Sequence, residues 1–484
     1  MVRTRVAPSP TGYAHLGIVY QALFDFVFAH KYKGKFVLRI EDTDRSRFVE
    51  GAEEVIVESL KWANLLPDEG ISKGGEYGPY RQSEKLELYQ KHINELLKKG
   101  FAYHCFCTKE RLDEMRKLKE QNHQAPKYDR TCLKLTDEEV KQNLAENISF
   151  VVRMKIPDNR IIVVDDAIAG KVEINSNELD DQVILKSDGY PTYHLAAVVD
   201  DYYMKITHIF RGTEWLPSTP KHILLWEYLG WQESMPKFAH LPLLLNSEGG
   251  GKLSKRQGHA SVDYYRKEGF LPEAVVNYLA NVVWNHPEGK EIFDAREFEK
   301  AFELEPFKVS VKSTGAKFDL AKLEWMNGEY IRKMSDSELT QRLQEFLIDH
   351  PAKGKIAPIV PLIKERIKKL SDFIPLTHFL FDDPEYEIEV FKKLKVENIK
   401  EVLGKVVEVL VGMKESWNAE KFEQSFRKLS EDLGIRSQDM FQLIRIAFSG
   451  QLVTPPLFDS MNIIGYNSSL ERIKKVATSY PNFS

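Results

Sequence analysis

The stretch Arg5-Val6-Ala7-Pro8-Ser9-Pro10-Thr11-Gly12-Tyr13-Ala14-His15-Leu16-Gly17-Ile18 allows few folds. Thr4 to Ala7 can form a strand, and it stops at two prolines, which cannot donate to a β-ladder. A glycine turn follows. Residues 17 to 33 then read as a helix, because Ile18, Ala22, Phe26 and Ala29 recur at a spacing of three to four. Strand, tight turn and helix in that order aim unpaired backbone N–H groups and a positive dipole end at an anion. His15 sits in the turn, where its ring can donate to a phosphate or sugar oxygen. Taken by itself, the segment would be an ordinary βα loop with a surface histidine.

A second segment changes that reading. Glu248-Gly249-Gly250-Gly251-Lys252-Leu253-Ser254-Lys255-Arg256 is glycine-rich and carries three cations within five residues. A Walker A loop needs Ser or Thr directly after Gly-Lys, and Leu253 stands there instead. What remains is an arm able to close over a polyphosphate and neutralise charge as it develops. Together, His15-Leu16-Gly17-Ile18 and Lys252-Leu253-Ser254-Lys255-Arg256 resemble the HIGH and KMSKS boxes of class I aminoacyl-tRNA synthetases. Their surroundings, Ala7 to Gly12 and Arg39-Ile40-Glu41-Asp42-Thr43-Asp44-Arg45, are similar to the glutamyl-tRNA synthetase family in particular. Leu16 and Ile18 depart from the first box, and Leu253 and Arg256 from the second; the histidine, the glycine and both lysines are kept. The resemblance spans essentially the whole chain and is strongest up to Arg332.

A chain of 484 residues has room for about two to four domains. Its 43% hydrophobic and 29% charged content is that of an ordinary globular protein. With a net charge of −4, an RNA partner would have to meet a local basic face on an acidic background. No apolar segment follows Arg3 and Arg5, and no stretch approaches the roughly 20 apolar residues of a membrane span. A cytoplasmic protein with no membrane partner is therefore expected. Three cysteines argue against a disulfide framework.

The expected fold class is α/β, a Rossmann-type doubly wound parallel sheet. An inserted α+β acceptor-binding domain and an all-α C-terminal anticodon-binding region would complete it. Residues 1–82 form the first half of the catalytic fold. Lys35 to Glu41 alternates as a strand, with Val37, Arg39 and Glu41 on one face, and Gly51 to Asn64 reads as an amphipathic helix. Ser83 is placed as the N-cap of a helix running to Lys99 and stopped by Gly100. The doubly wound rhythm lapses over 83–186, where short strands such as 148–156 and 161–164 sit among charged linkers. It resumes over 187–242, with a buried run Leu195 to Val199, a strand Ile206 to Arg211 and a helix opened by Ser218-Thr219-Pro220. Residues 243–325 form a connector carrying the lysine loop. Residues 326–484 are nearly all helical. Helices are expected from Ser335, at 361–370, 396–411, 419–433, 437–448 and 468–477, with Lys364 to Lys369 a basic face on the second.

All three cysteines fall in the insertion, as Cys105-Phe106-Cys107 and Cys132. Three thiolates with a fourth donor make a tetrahedral structural zinc site that adds folding energy to a small insert. The residues leave the fourth ligand open among Tyr128, His104 and His123. The resemblance favours Tyr128, through the Cys-x-Cys…Tyr-x-x-x-Cys element of many bacterial members.

Free glutamate brings two carboxylates and one ammonium, so a specific site wants two cations and one anion. Arg5, Arg211 and Glu41 are the candidates at strand ends. By resemblance Arg5 meets the side-chain carboxylate and Glu41 the α-ammonium, which leaves Arg211 for the remaining carboxylate or a supporting role. Ala7, Ser9, Tyr193 and Trp215 complete that pocket. The resemblance also implies ATP bound by Pro8, His15, Gly17, Lys252, Ser254, Lys255 and Arg256, with Mg²⁺ on the phosphates and with His15, Gly17, Lys252 and Lys255 catalytic. Partners would be L-glutamate, ATP and tRNA(Glu), the last contacted by Arg45, Arg47 and Arg366, and the enzyme would act as a monomer. Activation in this family usually requires tRNA. The alternatives are an enzyme that also charges tRNA(Gln), or a non-catalytic, zinc-bearing RNA-binding protein.

Overall fold

A computed structural model describes residues 1–246, 251, 253, 259–304 and 315–481. β1 (Arg3–Val6) is followed by α1 (Leu16–Lys31), then by β2 (Lys35–Leu38), α2 (Ala52–Trp62) and β3 (Glu69–Gly70). The three strands form a parallel sheet in the order β1-β2-β3, with Arg5 opposite Val37. α1 is buried on more than the stripe its spacing suggests: Leu16, Val19, Leu23 and Phe24 are fully enclosed, as are Ala22 and Ala29. This suits a helix lying in the core of the domain. β2 ends before Glu41, because Ile40 leaves the ladder to bridge Arg81, and the Glu41 amide donates to the Pro8 carbonyl at 3.0 Å.

α3 (Leu86–Lys98) begins three residues after Ser83. The amide and hydroxyl of Ser83 both donate to the Asp42 carboxylate, at 2.8 and 2.5 Å, so Ser83 ties the chain to the loop after β2 and caps nothing. Gly100, at φ +72, ends α3 as expected. β4 (Ala102–Cys105), α4 (Lys109–Gln121), α5 (Asp137–Ala145), β5 (Val151–Met154), β6 (Ile161–Asp166), β7 (Gly170–Asn175) and β8 (Val183–Leu185) follow. The charged linkers thus contain two helices. Neither buries a residue, so neither shows an apolar stripe, but Thr136 and Glu139 form a complete capping box at the start of α5.

The run Leu195 to Val199 lies within a helix, α6 (Tyr193–Tyr203), whose buried residues share a core with Ile209 and Phe238. β9 (His208–Gly212), α7 (Thr219–Tyr228) and β10 (Lys237–Leu241) complete the second half. β9 and β10 pair in parallel, and the β6–β7 hairpin of the insertion extends that sheet, giving the order β7-β6-β10-β9. The Thr207 amide donates to the Arg3 carbonyl at 2.9 Å, which sets the entry of β9 beside β1. The fold is α/β, with parallel pairing in both sheets. β11 (Leu244–Asn246), α8 (Val262–Lys267), α9 (Pro272–Val283), α10 (Ala295–Ala301) and β12 (Ala316–Phe318) form the connector, with β11 and β12 paired in parallel.

Two compact units separate: Met1–Tyr265 with Pro272–Leu320, and Arg266–Leu271 with Ala321–Ser484. The second is helical: α11 (Leu320–Lys333), α12 (Asp336–Phe346), α13 (Val360–Ile363), α14 (Phe373–Thr377), α15 (Ile388–Phe391), α16 (Ile399–Gly412), α17 (Ala419–Asp432), α18 (Ser437–Ser449), α19 (Leu457–Ile464) and α20 (Tyr466–Ser479). The helix expected at 361–370 stops at Ile363. The Lys368 and Lys369 amides bond the Asp372 carboxylate and the Leu370 amide bonds the Gly269 carbonyl, so the chain turns there. The basic run is therefore no helical face. Lys364 pairs with Asp336, Lys369 with Glu268, and Arg366 donates to the Thr454 carbonyl at 3.1 Å.

Candidate active site

His15 is the N-cap of α1. Its Nδ1 accepts from the Gly17 amide at 3.0 Å, so in the neutral ring the proton sits on Nε2, which lies 3.1 Å from the Leu253 carbonyl oxygen. A side chain at position 17 would come within 3.1 Å of that Nδ1, so the glycine keeps the cap in place. The loop beyond is tied to the same spot: the Leu16 amide donates to the Ala260 carbonyl at 2.7 Å, and the Val262 amide to that of Ala14 at 3.2 Å. Lys252, Ser254, Lys255 and Arg256 lie outside the described residues. Leu253, which stands among them, and Ala260, beyond them, both bond to the start of α1.

A cavity of about 260 Å³ opens at this helix end. Ala7, Pro8, His15, Gly17 and Trp215 line it, as does Glu214, which the sequence reading passed over. A second cavity of about 220 Å³ is lined by Ser9, Glu41 and Tyr193, together with Thr43, Arg47 and Lys186. Tyr193 and Trp215 stand between the two with ring centroids 4.5 Å apart. Of the expected ATP and glutamate residues, Pro8, His15, Gly17, Ala7 and Trp215 line the cavity at the helix end and Ser9, Glu41 and Tyr193 the second, while Arg5 and Arg211 line neither.

Beneath the second cavity lies a buried ionic cluster. Asp201 accepts from Arg5 Nε at 3.1 Å and from Arg39 Nη1 at 2.6 Å, and Arg39 Nη2 reaches Glu41 at 3.0 Å. Arg39 Nε faces Asp200 at 3.5 Å without hydrogen-bond alignment. Asp200 also takes Tyr89, Gln82 and Lys85. Burial opposes the charged form of Asp201, but Arg5 and Arg39 outweigh it and hold its carboxyl below the usual range. Burial pushes the Glu41 carboxyl up, against the pull of Arg39 and Arg5. Arg5, Arg39 and Lys85 are thus matched by Asp200, Asp201 and Glu41.

Arg211, 3% exposed at the end of β9, has a different shell. Its Nε donates to His240 Nε2 at 2.9 Å, Nη1 to Tyr193 Oη at 3.2 Å and His222 Nδ1 at 3.3 Å, and Nη2 to Thr219 Oγ1 at 2.8 Å. Burial and the nearby Arg211 charge push the His222 imidazole well down, so the ring is neutral. His240 is lowered by burial despite the carboxylate of Asp166, 2.6 Å from its Nδ1. Among the described residues, no carboxylate bonds this guanidinium.

Of these groups the sequence reading missed Arg39, Asp201, His222, His240 and Asp166. The alternation of β2 placed Arg39 beside Glu41, and Asp200-Asp201 was visible after an apolar run, but no spacing links them.

In the insertion, Cys105, Cys107 and Cys132 bring their sulfur atoms within 4.8 Å of one another. Tyr128 Oη lies 3.4 Å from Cys105 Sγ and 3.3 Å from Cys107 Sγ, and Cys107 and Cys132 are 3.5 Å apart. Hydrogen bonding with Cys132, aided by Tyr128 and Arg153, pulls the Cys105 thiol well down. Zinc–sulfur bonds of about 2.3 Å in a tetrahedron need sulfurs roughly 3.8 Å apart, so the donors fit the ion. His104 instead packs against Phe150 at 4.9 Å, and His123 is exposed. Arg45 lies over the Tyr190 ring and Arg47 pairs with Asp44 at 2.6 Å. No described helix is long and apolar enough to cross a membrane.

Residues 1–325 match the family model of the class I tRNA synthetase (E and Q) catalytic domain, and 338–477 that of an anticodon binding domain. The chain is 39% identical over 509 residues to a glutamate–tRNA ligase of Treponema denticola, covering 98% of both chains. It is 41% identical over 494 residues to that of Clostridioides difficile, covering 98% of this chain and 99% of the other. Among solved structures it resembles a glutamate tRNA ligase from Elizabethkingia meningosepticum in complex with its amino acid, at 37% identity and a TM-score of 0.87 over 99% of each chain. A glutamate-tRNA synthetase from Elizabethkingia anophelis gives 38% and 0.86 over the same shares.

Proposed function

The chain belongs to the glutamate–tRNA ligase family of class I tRNA synthetases, and from that premise we propose how its own residues divide the reaction. The enzyme joins glutamate to tRNA with ATP, which class I synthetases use with Mg²⁺. An oxygen of the glutamate α-carboxylate attacks the α-phosphorus of ATP, the bond to the β-phosphate oxygen breaks, and pyrophosphate leaves. A hydroxyl of the terminal tRNA ribose then attacks the glutamyl carbonyl and AMP departs.

Such displacements ask for positioning and charge neutralisation more than for a protein base. The start of α1 supplies backbone N–H groups and its dipole, with Pro8 and Gly17 shaping the wall. The proton on His15 Nε2, now facing the Leu253 carbonyl, is the donor a phosphate oxygen would take. Lys252, Lys255, Ser254 and Arg256 close over the phosphates and neutralise the leaving pyrophosphate. Mg²⁺ would be held by the phosphates themselves and add to that neutralisation. Glutamate occupies the floor shared by Ala7, Ser9, Tyr193 and Trp215, with Glu41 on its ammonium and Arg5 and Arg211 on its carboxylates. Zinc would be held by Cys105, Cys107, Cys132 and Tyr128, where it shapes the insertion and takes no part in the chemistry.

Residues 83–186 would receive the acceptor end of tRNA(Glu), and 326–484 its anticodon, with Arg45, Arg47 and Arg366 as contacts. The enzyme would act as a monomer in the cytoplasm, where tRNA is charged. The convergence of His15 and Leu253 at the helix end carries this reading. Pyrophosphate exchange with glutamate, ATP and tRNA(Glu) should proceed and collapse in His15→Ala; exchange unaffected by that change would overturn it. Charging assays on purified tRNA(Glu) and tRNA(Gln) should show transfer to the first alone.

A further inference from the structure

We propose that His240, oriented by Asp166, is a positioning residue for Arg211 and thereby fixes affinity for glutamate. The inference rests on the reading above in one respect, that Arg211 meets a substrate carboxylate. Hydrogen-bond geometry determines the tautomers. Arg211 Nε has only a proton to offer, so His240 Nε2, at 2.9 Å, must present its lone pair. The ring proton is then on Nδ1, and it donates to Asp166 Oδ2 at 2.6 Å.

Asp166 is itself fixed by the backbone amides of Ile168, Ala169 and His240, at 3.0, 2.7 and 3.2 Å. It belongs to β6, a strand of the inserted stretch, so the specificity cation is held from outside the two catalytic halves. On the other side, Arg211 Nη1 donates to His222 Nδ1, which leaves the proton of that ring on Nε2, facing His194 Nδ1 at 3.1 Å.

The arrangement does two things. It locks the guanidinium plane through Nε without spending its charge, because an imidazole lone pair orients a cation and a carboxylate would neutralise it. It also contrasts with Arg5 and Arg39, which share the buried carboxylates of Asp201, Asp200 and Glu41, so that Arg5 meets the substrate with its charge partly offset. The charge of Arg211 therefore remains for an incoming carboxylate, and an amide in its place would leave part of the fork unpaired.

The test uses full-length, zinc-loaded enzyme with tRNA(Glu) present throughout. Loss of a hydrogen bond to a charged group predicts that His240→Leu raises the glutamate KM about tenfold to hundredfold. The ATP KM and Tm should stay near wild type. His240→Gln, whose carbonyl oxygen can accept from Nε, should recover most of the loss. Should His240→Leu fail to fold, His240→Asn, polar but too short to reach Nε, takes its place with the same expectation. An unchanged glutamate KM, or glutamate and ATP KM rising together with a lowered Tm, would overturn the proposal. Arg211→Gln separates the two readings. If it leaves the glutamate KM unchanged, the assignment of Arg211 to substrate fails; if it raises KM while His240→Leu does not, only the role of His240 fails.

Discussion

His15 Nε2 and the carbonyl oxygen of Leu253 stand 3.1 Å apart although 238 residues separate them in sequence. The contact joins the N-terminal end of α1 to the lysine segment, and it is made by the one ring nitrogen that the Gly17 amide leaves free to donate. A phosphate entering the cavity would exchange a carbonyl for a charged acceptor on the same N–H.

It follows that His15→Ala and Lys255→Ala should each slow adenylate formation by about 10²–10³-fold, the usual loss when a donor to developing charge is removed. Glutamate binding should change less. Single-turnover quench measurements with tRNA present would read this, and wild-type activation in Lys255→Ala would remove the loop from the mechanism.

The thiol cluster predicts about one zinc per chain. Elemental analysis of Cys107→Ser should show little metal, and the insertion should become protease-sensitive, since the ion supplies folding energy to a segment whose helices α4 and α5 bury nothing. Stoichiometric zinc in Cys107→Ser would exclude Cys107 as a ligand.

Asp201 holds both Arg5 and Arg39 at no more than 4% side-chain exposure for any partner. Asp201→Asn leaves two buried guanidinium groups sharing a neutral amide, which should destabilise the domain by about 3–5 kcal/mol. Chemical denaturation would measure it. A loss under about 1 kcal/mol would mean that water or a neighbouring carboxylate compensates.

Acid should weaken the fold before the carboxylates titrate. Burial, with Lys221 and Arg211 close by, pushes the His194 imidazole down to about 3, and burial with Lys237 nearby pushes His208 down to about 4. Each ring stays neutral in the folded chain while the unfolded chain, titrating near 6.5, takes up protons. Stability is therefore full above that value and falls as pH drops from about 6.5 toward 4, by at most about 1.4 kcal/mol per pH unit for His194 and less for His208, which is nearer solvent. Melting temperatures across this range should fall more gently in His194→Gln, and an identical slope would assign the effect elsewhere.

What was legible in the sequence was local. The proline stop, glycine turn and apolar spacing that follow Arg5 gave β1 and α1 to within two residues, and Gly100 ended the helix before it. Cys-x-Cys marked a metal-shaped cluster because two of its donors share one strand end. Where a residue's partner lay elsewhere, local signals misled. Ser83 has the chemistry of a cap and is spent on Asp42; the helix expected to reach Leu370 stops at Ile363, and Asp372 and Gly269 take the amides of Lys368, Lys369 and Leu370.

By itself, then, the sequence determined the two boxes, the succession of strands and helices around them and the helical second half, since each rests on neighbours within a few turns of the chain. The tertiary structure alone decided which arginine shares a buried carboxylate and which is bonded only by neutral groups. Asp201 reaches Arg5 across 196 residues and His240 reaches Arg211 across 29, distances that α6 closes by packing in the core and β10 by pairing with β9. Charge balance in a buried site depends on who stands within hydrogen-bond reach, and no spacing along the chain encodes that.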